Sequence, residues 1–143
     1  YILLKMAIWK DFSSASIGGK LAAIVGFFYI ANCIIIAAIP GTILSIIDWN
    51  SAVGLYTCAS IDLSFGLIMI WAAPSSRSPE GLNVLAGMAL FGVIFYLLVP
   101  VDTWSGIFDW WMIEQLTFTR IACVFVGIPV GVLIMFLAVP SHT

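Results

Sequence analysis

Four long apolar runs dominate the chain, separated by short polar stretches. The runs cover about residues 21–40, 52–73, 82–99 and 116–139. Wound as helices at about 1.5 Å per residue, they are roughly 27–36 Å long, enough to cross a bilayer core. The pattern predicts an all-α, polytopic integral membrane protein: a four-transmembrane-helix bundle with short interfacial helices. Residues 17–143 form the bundle domain in this reading, and residues 1–16 form a separate amphipathic segment.

The connections carry their own signals. In residues 1–16, Ile2, Leu3, Leu4, Met6, Ile8, Trp9 and Phe12 alternate with Lys5, Lys10 and Asp11. That mixture is too short and too charged to span, so it predicts a helix lying in the membrane interface. Ser13, Ser14, Ser16, Gly18 and Gly19 then read as a flexible break that also supplies capping residues. Pro40-Gly41 ends or kinks the first span, and residues 42–47 lead out of it. Asp48-Trp49-Asn50-Ser51 is a polar turn whose Trp suits a bilayer boundary. Residues 74–81, with two prolines, three serines, a glycine and two charges, are the clearest loop. Residues 100–115 form the longest polar connection. There Trp104, Phe108 and Trp111 recur at helical spacing, which predicts a short helix flat on the membrane surface. No internal repeat relates the four spans.

Composition supports this class. Sixty-three per cent of the residues are apolar, 8% are charged and mean hydropathy is +1.18. A soluble domain is about half apolar and a quarter charged, and 143 residues leave too much surface for a water-soluble core to absorb the excess. The net charge of −2 is spread over separate loops, and five basic residues make no nucleic-acid footprint. The expected partners are membrane lipid and other integral membrane subunits or copies of the chain itself. Lys5, Lys10, Lys20 and Arg77 fall on one side of the predicted bundle and Arg120 near the other. The positive-inside rule then places both termini and the Arg77 loop in the cytoplasm.

Asp62 is the one formal charge in the second run and lies near its middle. Such a carboxylate must face protein or water rather than lipid. A helical wheel puts Leu55, Cys58, Ala59, Phe65, Gly66 and Met69 on its side and Thr57, Ser60 and Ser64 opposite. Hydroxyls can bond back to their own helix, so the second face says less than the first. Asp62 either binds a proton or cation in transit, with Asn32 on the first span as a second polar group, or fixes helix packing. Arg120 is the candidate counter-ion; otherwise it extends to the headgroups.

Gly127-Ile-Pro-Val-Gly131 has two glycines four apart, a helix-association pattern, with Pro129 between them as a kink. Cys58 and Gly66 are further packing candidates. Asp102, Asp109 and Glu114, with Asp48, could collect cations or dock a basic partner, or simply keep an outer loop solvated. Cys33, Cys58 and Cys123 sit in different runs and read as free thiols. His142, the sole histidine, is in the tail. No span therefore offers a histidine for haem or metal, and no phosphate loop, nucleophile elbow or metalloprotease motif occurs. The chain is expected to be no enzyme and to hold no cofactor or metal. The first functional reading is a non-catalytic small subunit that packs within a larger membrane complex. The alternative is a small homo-oligomeric channel, or a proton- or cation-coupled transporter, using Asp62.

Overall fold

The computed structural model describes residues 12–46, 48 and 51–140, except for the side chain of Leu44. The interfacial helix expected over residues 1–16 lies almost wholly outside the described residues. So do Trp49 and Asn50 of the polar turn and His142 of the tail. All regular structure among the described residues is helical. Four helices are long and apolar enough to cross a membrane: Ile17–Ala38, Ala52–Ser75, Pro79–Leu98 and Leu116–Ala138. We label the elements α1 (Ile17–Ala38), α2 (Pro40–Ile46), α3 (Ala52–Ala72, continued by a 3₁₀ turn, Ala73–Ser75), α4 (Pro79–Leu98), α5 (Val101–Asp109) and α6 (Leu116–Ala138).

Three of the long helices start with the same device. Ser16, Ser51 and Ser78 each accept a hydrogen bond at Oγ from the amide of a glycine three residues on: Gly19 (3.1 Å), Gly54 (3.2 Å) and Gly81 (3.2 Å). This satisfies one of the first amides that a helix cannot satisfy itself. At its other end α1 stops at Ala38. Ile39 leaves helical geometry because the ring of Pro40 excludes it, and Pro40 opens α2.

The glycines at 18 and 19 are not a flexible break. They form the first turn of α1, where only a missing side chain permits the packing. A Cβ at Gly18 would lie 3.1 Å from Ala72 Cα, and one at Gly19 would lie 2.8 Å from the Ala138 carbonyl oxygen. Tertiary contact has overridden the local preference for a break.

α1 packs most extensively on α6, and α3 on α4. The two pairs meet chiefly through α1 and α3 and more thinly through α4 and α6, which leaves α3 and α6 diagonal. Along the α1–α6 seam, a Cβ at Gly26 would lie 2.6 Å from the Gly131 carbonyl oxygen. One at Gly131 would lie 2.8 Å from that of Gly26. Gly127 faces α1 as well, and a Cβ there would overlap Cys33 Sγ. The α3–α4 seam is close at Gly66, where a Cβ would lie 2.9 Å from the Leu90 side chain.

The core is concentrated towards one end. Ala22, Ala23, Met69, Ala72, Ala73, Leu82, Ala86, Ile134 and Ala138 form one buried cluster. Polar ties close the same end. Ser16 Oγ is 2.6 Å from Ser75 Oγ, the Arg77 amide donates to the Leu137 carbonyl (2.9 Å), and the Arg77 guanidinium stacks 4.0 Å from the Phe136 ring. At the opposite end α5 continues into a wide π-helical turn, Trp110–Glu114. Trp104 turns towards protein: it is 7% exposed and packs edge-on against Tyr96 of α4, 5.1 Å between centroids. Trp110 and Trp111 stay exposed. Buried Thr119 donates its hydroxyl to the Trp111 carbonyl, which ties α6 to this region.

α6 holds a second π-helical turn, Cys123–Gly127. Pro129 has no amide hydrogen, and its ring crowds the carbonyl four residues back. The helix accommodates it by widening, so that the Ile128 amide bonds to the Cys123 carbonyl five residues back. We expect Gly131→Val to destabilise the protein by about 1–3 kcal/mol through overpacking at the seam. Gly87→Ala, where nothing lies within 4 Å of the added Cβ, should be neutral or stabilising by up to about 1 kcal/mol. Unfolding in detergent followed by circular dichroism would measure both; equal effects would refute the seam.

Candidate functional site

Tyr29, Asn32, Cys58, Asp62, Tyr96 and Arg120 lie in the half of the bundle away from the alanine-rich core, whereas Lys20, Ser75, Glu80 and Asn83 lie at the core end. Asp62 stands on the buried side of α3, in line with Leu55, Ala59, Gly66 and Met69. Its carboxylate lies against α4, where a Cβ at Gly92 would be 3.1 Å from Oδ2. Gly92 therefore makes the recess that admits the acid. Cys58 lies one turn back on α3 and Tyr96 one turn beyond Gly92 on α4. Both are within electrostatic reach of the carboxylate, as is Tyr29 of α1. Asp62 is only half-buried, and it accepts no hydrogen bond from any described residue.

Asp62 and Arg120 do not pair. Arg120 is exposed on α6, diagonal to α3, with Thr119 as the buried residue of its turn. Asn32 is also exposed and has no hydrogen bond among the described residues. No interaction joins it to Asp62. It lies one turn beyond Phe28, on the same side of α1, and Phe28 packs edge-on against Phe65 of α3, 5.7 Å between centroids.

The hydroxyl side of α3 is satisfied within its own helix. Thr57 donates to the Val53 carbonyl (2.7 Å), Ser60 to that of Tyr56 (2.8 Å) and Ser64 to that of Ser60 (2.8 Å). These residues, with Phe28, Tyr56, Ile61 and Phe65, line an open groove of about 620 Å³ along α1 and α3. With its Ser and Thr hydroxyls turned to the backbone, the groove presents mainly hydrocarbon.

The cysteines divide. Cys33 and Cys123, from α1 and α6, lie within reach of one another beside Gly127, while Cys58 neighbours Asp62. All three are free thiols. Asp48, Asp102 and Glu114 are exposed and Asp109 half-buried, spread along the end of the bundle. Among the described residues, no three His, Cys, Asp or Glu side chains are grouped so as to hold a metal ion. Sequence reasoning missed Tyr29, Gly92 and Tyr96 as neighbours of Asp62. A helical wheel shows which residues share a side, but not which helix that side meets.

This arrangement supplies a carboxylate in an apolar setting, with phenol and thiol groups nearby and no counter-ion among the described residues. It can take up and release a proton or hold a cation. The sequence matches no protein-family model, and no curated protein or solved structure is similar to it.

Contact between Gly92 and Asp62 has a direct test. Gly92→Ala and Asp62→Ala should couple by more than about 0.5 kcal/mol in a double-mutant cycle of unfolding stability, because the added methyl meets the carboxylate only when both are present. Simple additivity would mean that the carboxylate does not occupy the Gly92 recess.

Proposed function

We propose that this chain is a small, non-catalytic, multi-pass membrane subunit that packs within a larger membrane assembly. Both termini and the loop at residues 74–81 lie on the cytoplasmic side in this reading. The observation that carries it is the uneven filling of the bundle. One half is closed by small residues and polar ties, whereas the other leaves Phe28, Tyr29, Asn32 and the groove of α3 uncovered. In lipid, helices are held by close small-residue seams and polar contacts rather than by hydrophobic length. A face that carries an amide unbonded among the described residues is suited to a further helix.

Asp62 favours a second reading, a homo-oligomeric proton- or cation-coupled carrier. A carboxylate with neither a hydrogen bond nor an ion pair among the described residues is a poor structural tie, and a membrane-embedded acid of this kind is suited to ion binding.

Extraction in mild detergent followed by native mass spectrometry separates the readings. Recovery with other integral subunits at fixed stoichiometry is expected. A species containing only this chain as a single copy would overturn the assembly, and fixed multiples of this chain alone would favour the carrier. Asp62→Asn, reconstituted in vesicles, should leave assembly intact. If the carrier reading holds, it should abolish dissipation of an imposed pH or cation gradient; unchanged flux would exclude Asp62 from transport.

A further inference from the structure

We propose that the face formed by α1 and α3 is a contact between two copies of this chain, with the Asn32 amides of the two copies bonded to each other. The inference rests on the reading above that the chain works within an assembly, and it names one interface of that assembly.

Asn32 lies about 9 Å from the end of α1 at about 1.5 Å per residue, within the apolar length of the helix. Its amide is exposed and unbonded among the described residues, which is costly where no water is at hand. The open groove runs along the same two helices and shares Phe28 with the Asn32 side of α1. The Ser and Thr hydroxyls in it are already engaged by their own carbonyls. The Asn32 amide and the Tyr56 hydroxyl are therefore groups on this face with no bond among the described residues. Of the two, only the amide carries both donor and acceptor groups in a planar, self-complementary pair, and the groove beside it offers hydrocarbon for packing.

A carboxamide is its own complement, because each copy carries both donor and acceptor. A two-fold axis along the membrane normal brings the two Asn32 residues to the same depth. It also sets the exposed Phe28 ring of one copy beside the groove of the other. Any other occupant must supply a polar group at that depth by coincidence, whereas a second copy supplies it by symmetry. An acyl chain would fill the groove and leave the amide unbonded.

A photo-crosslinking phenylalanine analogue placed at Tyr56 tests this in native membranes, using the full chain. Tyr56 is exposed and lines the groove. Irradiation should give an adduct of twice the chain mass whose peptides all come from this chain. The same probe at Met88, exposed on α4, should give none. Asn32→Leu should lower the adduct yield by about fivefold to tenfold, and Asn32→Gln should keep most of it. A lipid adduct, an adduct to a different protein or no adduct at Tyr56 would overturn the proposal. So would a yield indifferent to Asn32→Leu. If other subunits still co-purify when the self-adduct is missing, the two-copy contact fails while the assembly reading stands.

Discussion

The bundle depends on how closely α1 and α6 approach. At Gly26 and Gly131 the carbonyl of each helix occupies the space where the other's side chain would begin. Lipid tails are as apolar as the side chains that leave them, so burial by itself gives little reason for two helices to stay together. Backbone proximity supplies dispersion contacts over a long seam. That seam seats the Cys33 thiol on Gly127, sets Gly19 on Ala138, and brings the end of α6 to the loop where Arg77 bonds to Leu137.

Filling is unequal as a result. Where glycine and alanine meet, the helices close on one another and the buried cluster forms. In the other half the side chains are larger or polar, including Phe28, Phe65, Tyr96 and Trp104, and contact is made through ring edges instead of backbones. Asp62 sits in that looser half, in the recess left by Gly92. The acid is thus shielded by α4 without being locked by a hydrogen bond from any described residue, and it keeps partial access to its surroundings.

Hydropathy alone located the four long helices, with ends displaced by up to four residues at the start of α1 and three at that of α4. The wheel drawn around Asp62 placed Leu55, Ala59, Gly66 and Met69 together, and α3 buries these residues. What the wheel could not supply was the neighbour. Nothing in the spacing of Gly127 and Gly131 names Gly26, and nothing in span length says that α3 and α6 are diagonal, which keeps Arg120 from Asp62. The first turn of α1 is not legible in sequence, because Gly18-Gly19 is a break by propensity and a helix only by packing. Ser16 is legible as a capping residue from its own stretch, and Ser-x-x-Gly recurs at Ser51 and Ser78, marking three helix starts. Trp104 shows a further limit, since an aromatic residue at a bilayer boundary and one stacked on another ring have the same local sequence signature.

The wide turn at Cys123–Gly127 carries one residue more than an α-helical turn needs. Side chains before and after it therefore follow two different helical phases. Thr119 is buried in one phase, and Gly127, Gly131, Ile134 and Ala138 in the other. The extra residue acts as a fixed rotation between two otherwise ordinary rods. The same residues wound as an uninterrupted α-helix would turn one of its two buried stripes outward by about 100°. The aim of this helix is thus set by a count of residues as much as by their chemistry.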